Sequence, residues 1–218
     1  ATFIFVLLIG VIVVAAVVFV EQAQRRIPVQ YAKRMVGRQA YGGTSTYIPI
    51  KVNQAGVIPV IFASSLLYIP SLIVNFTNST SGWAVWISRN LVNGDNVYYI
   101  TAYAGMIIFF TYFYVAITFN PDEVADNMKK YGGFIPGIRA GKPTADYLAY
   151  VLNRITLPGA LYLATIATLP YLAFEALGVG SRFAFGGTSI LIIVGVALDT
   201  VKQIESQLQQ RNYEGFLK

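Results

Sequence analysis

Long apolar runs alternate with shorter polar stretches along this chain. Five runs are long enough to predict membrane-spanning helices, because a bilayer core of about 30 Å needs roughly 20 helical residues that each rise about 1.5 Å. The runs cover residues 3–20, 55–74, 98–119, 155–177 and 188–204. In the fourth run, Pro158 and Pro170 predict a helix that is either bent or shortened at its ends. The pattern predicts an all-α polytopic membrane protein with five transmembrane helices.

The second run is apolar enough for a membrane but is poorly suited to face lipid. Pro59 and Pro70 each lack the N–H group that would bond four residues back, so neighbouring groups must satisfy the carbonyls left open. The run also contains Gly56, Ser64 and Ser65, which have small side chains or add polar groups. We interpret this run as a moving part, because a simple anchor needs none of these residues.

The basic residues predict the orientation. Fourteen of the sixteen Lys and Arg residues fall on alternate segments when Lys202, at the end of the fifth run, is counted with the tail. The segments between them hold only Arg89 and Arg182. Cytoplasmic loops carry an excess of Lys and Arg, so the N-terminus of this chain is predicted to face outward. The cytoplasmic side then carries a first inner segment (residues 21–54), a second inner segment (residues 120–154) and a tail (residues 205–218).

The first inner segment has a pattern typical of ordered structure. Polar and apolar residues alternate around Pro28. They alternate again from Tyr47 to Lys51, which predicts a short hairpin against the membrane. The length and alternation of this basic segment favour a structured projection that docks a partner. The alternative is a topology signal whose charge interacts only with anionic lipid headgroups.

The second inner segment predicts a short helix followed by a rigid turn. Asn120 is a suitable N-cap, Pro121 suits the first helical position, and acidic residues follow at the positive end of the helix dipole. Residues 134–144 then place Arg139 and Lys142 among glycines and prolines. A rigid, exposed cationic tip suits binding to an acidic surface or an RNA backbone, because its ordering entropy has already been lost.

The amino-acid composition mainly excludes several kinds of chemistry. The 218 residues are 56% hydrophobic and 12% charged, and they include no Cys and no His. Disulfides, thiol chemistry and the commonest metal ligand are therefore excluded. Glu175 and Asp199 are the only intramembrane acids and lie near helix ends, so we expect no catalytic site, metal or cofactor. A nucleotide-binding Gly-x-x-x-x-Gly-Lys pattern is also absent, so energy would come from outside this chain.

The chain begins inside its first apolar run, and Glu21, Arg25 and Arg26 come after that run. A signal peptide carries its positive charge first, so we expect a retained helix in a piece of a longer protein. On the predicted outer side, Asn75 and Asn78 begin two N-x-S/T sequons, which are weak signals because the pattern is common by chance.

Seven short motifs occur together and in a fixed order: Gln24-Arg25-Arg26-Ile27, Tyr31-Ala32-Lys33-Arg34, Lys51-Val52-Asn53, Ala55-Gly56-Val57-Ile58-Pro59, Phe119-Asn120-Pro121, Pro136-Gly137-Ile138-Arg139 and Gly186-Gly187-Thr188-Ser189. In this order they resemble the C-terminal half of the SecY family, from its sixth to its tenth membrane helix. The resemblance covers essentially the whole chain. It implies one half of a clamshell of two five-helix halves with an hourglass pore between them, the other half preceding Ala1.

The resemblance also implies roles for individual residues. Ile61 and Ile192 would belong to the pore ring, the aliphatic constriction around a translocating chain. The second and third runs would form this half's side of the lateral gate, with Pro59, Ser64 and Ser65 near the signal sequence. The inner segments would dock the SecA motor and the ribosome through Arg25, Arg26, Lys33, Arg34, Arg139 and Lys142.

The function implied is the pore-forming subunit of the general protein secretion channel in the bacterial plasma (inner) membrane. It would pass unfolded secretory proteins across the membrane and membrane proteins laterally into it, without enzymatic activity of its own. The implied partners are the N-terminal half, SecE, SecG, SecA, ribosomal RNA and proteins, signal sequences, translocating polypeptides and the lipid bilayer.

Two alternatives to the channel remain. Half of an inverted-repeat secondary transporter is one, because broken helices recur in those folds. It predicts charged or polar ligands at the membrane midplane, where the second and fifth runs offer Ser, Thr and aliphatic residues. A plain structural anchor is the other, and it explains neither the prolines nor the two elaborate inner segments.

Overall fold

The structure is a computed structural model, and it describes residues 2–31, 34–36, 39–41, 45–77, 81–92, 96–176 and 187–214. Helices dominate the described part of the chain. They are α1 (Thr2–Gln22), α2 (Ile58–Thr77), α3 (Gly82–Ile87) with a π-helical extension (Ser88–Val92), α4 (Val97–Thr118), α5 (Pro121–Lys130), α6 (Lys142–Ala176) and α7 (Gly187–Glu214).

The prediction of an all-α chain needs a correction, because much of the first inner segment is β-structure. The strands are β1 (Gln24–Tyr31), β2 (Arg34–Val36), β3 (Gln39–Tyr41), β4 (Ser45–Lys51) and β5 (Gly133–Phe134). β1 and β4 pair antiparallel, with Arg25 opposite Ile50 and Pro28 opposite Tyr47. The alternation at residues 47–51, which predicted a short hairpin, lies in a strand that pairs with β1 and not within a short local hairpin. Alternation favours a strand here because it buries one face while the other stays in water.

The two inner segments form one folded unit. β5 adds to the other edge of β1, where Gln30 pairs with Phe134 and Tyr31 with Gly133. Beneath this three-stranded sheet lies an apolar cluster contributed by both segments and by the adjoining helices, including Ile27, Val29, Ile50, Met128, Ile135, Leu148, Val151 and Leu152. The shared core means that neither segment is an independent loop.

The short helix α5 begins as its sequence predicts. The Asn120 side chain accepts hydrogen bonds from the backbone N–H groups of Asp122 at 3.2 Å and Glu123 at 3.5 Å. Pro121 occupies the first turn, where its missing N–H has no intrahelical acceptor. Ala125 and Met128 are the buried residues of this amphipathic helix, so it lies on the core that supports the sheet.

Each of the five predicted spans falls on a helix, namely α1, α2, α4, α6 and α7. Within the described residues, two helical runs are long and apolar enough to cross a membrane, Ile58–Phe76 and Val97–Lys130. α6 is continuous through Pro158 and Pro170 and begins well before residue 155. Of the two predicted possibilities, a bent helix or a shortened one, the shortened helix is therefore wrong. A count of five membrane spans stays a prediction.

Pro59 does not open the helix that contains it. Because α2 begins at Ile58, Pro59 lies in the first turn, where backbone N–H groups have no intrahelical partner. The expectation that Pro59 leaves a hydrogen bond unmade is therefore wrong. Pro70 lies inside α2 and does remove the N–H that would bond the Leu66 carbonyl. The irregularity of α2 is confined to its second half.

A connector (residues 52–57) joins β4 to α2 and is tightly enclosed. A Cβ atom added at Gly159 of α6 would lie 2.6 Å from the backbone oxygen of Val52, far closer than a carbon atom can approach. A Cβ at Gly195 of α7 would lie 3.8 Å from the Val57 side chain. Gly56, with φ of +62°, supplies the left-handed residue that turns the chain into α2. The connector thus packs against two helices at once.

Replacing Gly159 with Ala tests this packing. The added methyl group meets backbone rather than a flexible side chain, so we expect a destabilisation of about 1–3 kcal/mol. Gly105→Ala in α4 is the matched control, because nothing lies within 4 Å of the Cβ position there. The control should be neutral or stabilising by up to about 1 kcal/mol. Thermal unfolding of the full-length protein in detergent distinguishes the two, and equal unfolding midpoints would contradict the packing described.

Candidate functional site

The residues predicted for the pore and the gate lie on α2 and α7 with different exposures. Ile61 is 41% exposed on α2, Ser65 is exposed and Ser64 is half-buried. Ile192 is half-buried on α7. Pro59 is fully buried, so in this structure its side chain packs within the protein and not on the exposed surface of α2. An apolar residue as exposed as Ile61 leaves a surface for a chain, a lipid or another part of the protein to cover.

The structure brings the segments bearing Ile61 and Ile192 close to each other. Val57 precedes Ile61 by four residues, one helical turn, and Gly195 follows Ile192 by three. Val57 lies in van der Waals range of the Cβ position of Gly195. The two isoleucines therefore sit about one turn beyond the contact between the connector and α7.

A cavity of about 230 Å³ lies beside the predicted gate serines, lined by Ser64, Leu67, Tyr68, Ser71, Leu91 and Tyr99. It is bounded by α2, the π-helical extension and α4. The Ser64 hydroxyl donates to the Ile61 carbonyl at 2.9 Å, so its hydrogen-bonding need is met within the helix. This arrangement lets a serine lie at an apolar surface at little cost.

The cations predicted for docking divide between the sheet and the turn that follows β5. Arg25 and Arg26 are exposed on β1, and the Arg26 guanidinium lies 5.1 Å from the centroid of the Tyr47 ring. Such stacking holds the cation at the surface without neutralising it. Arg34 lies in β2. Lys33 lies outside the described residues.

The turn carrying Arg139 and Lys142 is held from both sides. Ile135 at its start is 4% exposed and belongs to the core under the sheet. At its end, the buried Thr144 hydroxyl donates to the Arg139 carbonyl at 2.8 Å. Gly137, with φ of +83°, adopts a conformation that L-residues rarely reach. The predicted rigid tip is thus present, and both cationic side chains are exposed on it.

The two groups of cations lie near opposite ends of β1, one on the strand itself and the other after β5. Arg25 and Arg26 lie at the end of β1 next to α1, whereas β5 pairs with the opposite end at Tyr31. Five residues separate Arg26 from Tyr31, or about 17 Å at about 3.4 Å each. The structure therefore places Arg25, Arg26, Arg139 and Lys142 on one folded unit but not at one point.

The connector holds a polar residue that the sequence interpretation assigned no role. Asn53 is 4% exposed, and its Nδ2 donates to Glu21 Oε1 at 2.5 Å and to the Gly56 carbonyl at 3.3 Å. In the backbone, the Val52 N–H donates to the Ala23 carbonyl at 3.0 Å. An acid at the end of one apolar run and an Asn just before the next are the signal that could have predicted this pair. The contacts tie the start of α2 to the end of α1.

A second cavity, of about 170 Å³, lies beside the connector, and we call it the connector cavity. Its lining comprises Glu21, Lys51, Asn53, Gln54, Ala55, Gly56, Val57, Gly195, Val196, Leu198, Asp199 and Lys202. Asp199, which the sequence singled out as an intramembrane acid near a helix end, is exposed here near the middle of α7. Across the described residues, no group of three or more potential metal-ligating side chains occurs.

Comparisons with known proteins agree closely. The family model described as SecY matches residues 1–201. The protein translocase subunit SecY of Streptomyces griseus is 74% identical over 214 residues, covering 98% of this chain and 49% of the relative. That of Mycobacterium tuberculosis strain H37Rv is 66% identical over 217 residues, covering 96% of this chain and 49% of the relative. The chain thus spans about half the length of the curated relatives it matches.

Solved structures show the same fold. A structure of a SecY protein, in a study of how its plug domain stabilises the closed channel, has a TM-score of 0.62 at 24% identity and covers 91% of this chain and 49% of that one. A structure of a protein-conducting channel has a TM-score of 0.61 at 22% identity, with coverages of 91% and 48%. With a family model that matches nearly the whole sequence, the chain belongs to the SecY family.

Proposed function

We propose that this chain is the C-terminal half of the pore-forming subunit of a protein secretion channel. The observation that carries the proposal is the family match over residues 1–201, which includes both inner segments and nearly all of the five predicted spans. The complete channel would pass unfolded secretory proteins across the plasma membrane and membrane proteins laterally into it. The matched relatives are about twice as long, so the N-terminal half is the first partner proposed.

The proposed topology has five spans in one half of a clamshell, with the N-terminus of this chain outside and its tail in the cytoplasm. The distribution of Lys and Arg supports it, because cytoplasmic segments are enriched in both. The folded unit of sheet, tip and α5 would then lie on the cytoplasmic side. Its exposed cations, among them Arg26, Lys130 and Arg139, face water there and can also meet anionic lipid headgroups.

Ile61 and Ile192 are proposed to form part of the pore ring. A pore that passes any sequence cannot rely on specific hydrogen bonds, so aliphatic side chains that close by excluding water are a suitable seal. The 41% exposure of Ile61, on a helix that also packs against α4, supports this role. Ile192 supports it less strongly, because it is half-buried.

The lateral gate is proposed to run along α2 and α4, with Ser64 and Ser65 near the signal sequence. The cavity beside Ser64, which is lined by both polar and apolar residues, supports this assignment, because side chains of a signal sequence can enter it. Pro59 is proposed to contribute indirectly, by fixing the residue at which α2 begins, because its ring is buried within the protein.

The sheet and the tip are proposed to dock the SecA motor and the ribosome, with Arg25, Arg26, Lys33, Arg34, Arg139 and Lys142 as contacts. Exposed cations such as Arg26 and Arg139 complement acidic protein surfaces and RNA phosphates alike. SecE and SecG are the remaining proposed partners. In this proposal the chain itself catalyses no reaction, and SecA, the elongating ribosome or the proton gradient supplies the energy. The family relationship does not favour the secondary-transporter alternative.

Substitution of Ile61 by Asn tests the pore ring. A polar side chain weakens a seal that depends on excluding water, so precursors with defective signal sequences should be exported about tenfold better than by the unmodified channel. Ile69→Asn on the same helix is the control, because Ile69 is 47% exposed but has no proposed pore role. Export assays in cells give both values. Unchanged signal discrimination in Ile61→Asn and Ile192→Asn would remove the ring assignment.

Site-specific crosslinking tests the gate. A photoreactive residue at Ser65 of the full-length channel should crosslink the signal sequence of a stalled precursor, because Ser65 is exposed on the proposed gate helix. Leu161 of α6 is 50% exposed and outside the proposed gate, so a probe there should react with lipid instead. A signal that crosslinks equally at both positions would argue against a gate at α2.

Reversal of charge at the tip tests docking. Arg139→Glu leaves intact the backbone carbonyl that holds Thr144, so the fold should persist while binding to an acidic motor surface is lost. We expect SecA-driven export to fall at least about tenfold, as a loss of about 1.4 kcal/mol produces, with membrane insertion of the protein unchanged. Arg89→Glu, on the predicted outer side, makes the same charge change and should export normally. Normal export by Arg139→Glu would remove this contact.

A further inference from the structure

The connector cavity contains charges of both signs that do not pair with one another. Glu21 and Asp199 line it together with Lys51 and Lys202, so its formal charge is balanced. In the described structure no ion pair joins these four side chains. The two lysines, each with three N–H donors, are exposed and free to bind an acceptor.

Two carboxamide oxygens at the same cavity also have no partner. Asn53 Oδ1 and Gln54 Oε1 are buried and accept no hydrogen bond from the described residues. Both partners of Asn53 Nδ2 are acceptors, which fixes the orientation of the amide and leaves Oδ1 as the free atom. Buried acceptors are almost always paired in proteins, so two unpaired ones side by side indicate a donor that is missing.

The cavity lies in line with the proposed pore ring. Val57 is one helical turn before Ile61, and Gly195 is one turn after Ile192. Gly195, Asp199 and Lys202 follow at helical spacing and lie on the face of α7 that carries Ile192. Seven residues separate Ile192 from Asp199, or about 10 Å along the helix. A polypeptide that passes between the two isoleucines therefore runs past the connector cavity.

We propose that the connector cavity binds the backbone of the translocating polypeptide on the cytoplasmic side of the pore ring. A backbone N–H group donates to Gln54 Oε1, and backbone carbonyls accept from Lys51 and Lys202. Gln54 can turn into the cavity without losing a hydrogen bond, because its oxygen has none to lose. The inference rests on the proposed channel function and adds residues that hold the substrate.

Backbone recognition explains why the cavity has this composition. The peptide group is the feature that all polypeptides share, and it offers one donor and one acceptor per residue. Carboxamides and lysines complement those two groups. Balanced charge in the lining avoids selecting for or against charged side chains. The cavity can therefore hold any sequence without discriminating between sequences.

The test uses a photoreactive residue at Val196, which lines the cavity and is 58% exposed. Precursors are stalled in the full-length channel so that four alanines, or four prolines, lie just before the ring. Proline has no backbone N–H, so the crosslink yield at Val196 should fall about fivefold with prolines. Probes at Ile61 and at Gln22, an exposed residue outside the cavity, serve as controls.

A second variant separates hydrogen bonding from chain shape. Gln54→Leu removes the acceptor at similar size, so it should lower the alanine yield about as much as the prolines do. Prolines should then cause little further loss, because the N–H they remove no longer has that acceptor. Segments of four lysines or four glutamates should give crosslink yields within about twofold of the yield with four alanines. This difference is smaller than the one that the loss of a hydrogen bond causes.

Each other outcome decides against the proposal. A yield that depends strongly on the charge of the segment would replace backbone recognition with charge recognition. Crosslinks at Ile61 without crosslinks at Val196 would overturn the cavity site and leave the channel function standing. Crosslinks at neither position would overturn both. Equal proline losses in the unmodified channel and in Gln54→Leu would assign the effect to chain shape.

Discussion

Helix α2 is tied to the three-stranded sheet by a connector that packs closely against α6 and α7. The Val52 carbonyl lies so close to Gly159 that a methyl group could not fit between them. Asn53 is bonded to Glu21, so the end of α1 restrains the same few residues. A shift of the sheet must therefore either move the start of α2 or break these contacts. The rest of the proposed mechanism depends on this coupling, because α2 carries both Ile61 and Ser65.

The sheet is suited to transmit such a shift because it unites segments about 100 residues apart in the chain. β5 of the second inner segment pairs with β1 of the first, and Ile27 and Leu148 share one core beneath them. A partner that binds the tip at Arg139 therefore acts on the strands that lead into the connector. Close packing transmits the displacement, because a packed core has little room to absorb it.

The sequence predicted the features that depend on local pattern. Helices at the five apolar runs, the N-cap at Asn120 and the strand ending at Lys51 follow from residues near one another in the chain. The pairing of β1 with β5 could not be predicted, because its partner lies far away in sequence. The prediction that Pro59 leaves a hydrogen bond unmade was wrong, because the effect of a proline depends on where the helix begins. The role of Asn53 could not be predicted either, because its partner Glu21 is distant in sequence and only the fold brings α1 next to the connector.

A channel for many different polypeptides must combine two surfaces with opposite requirements. The seal needs side chains without hydrogen-bonding groups, which Ile61 and Ile192 satisfy, since any polar group there would keep the pore wet. A grip on the substrate needs hydrogen-bonding groups that do not select a sequence, and the proposed grip uses the Gln54 amide oxygen with Lys51 and Lys202. Placing the grip at Gln54, seven residues before Ile61 in the chain, lets each act separately. The connector, held by Gly159 and Glu21, sets the distance between the two surfaces.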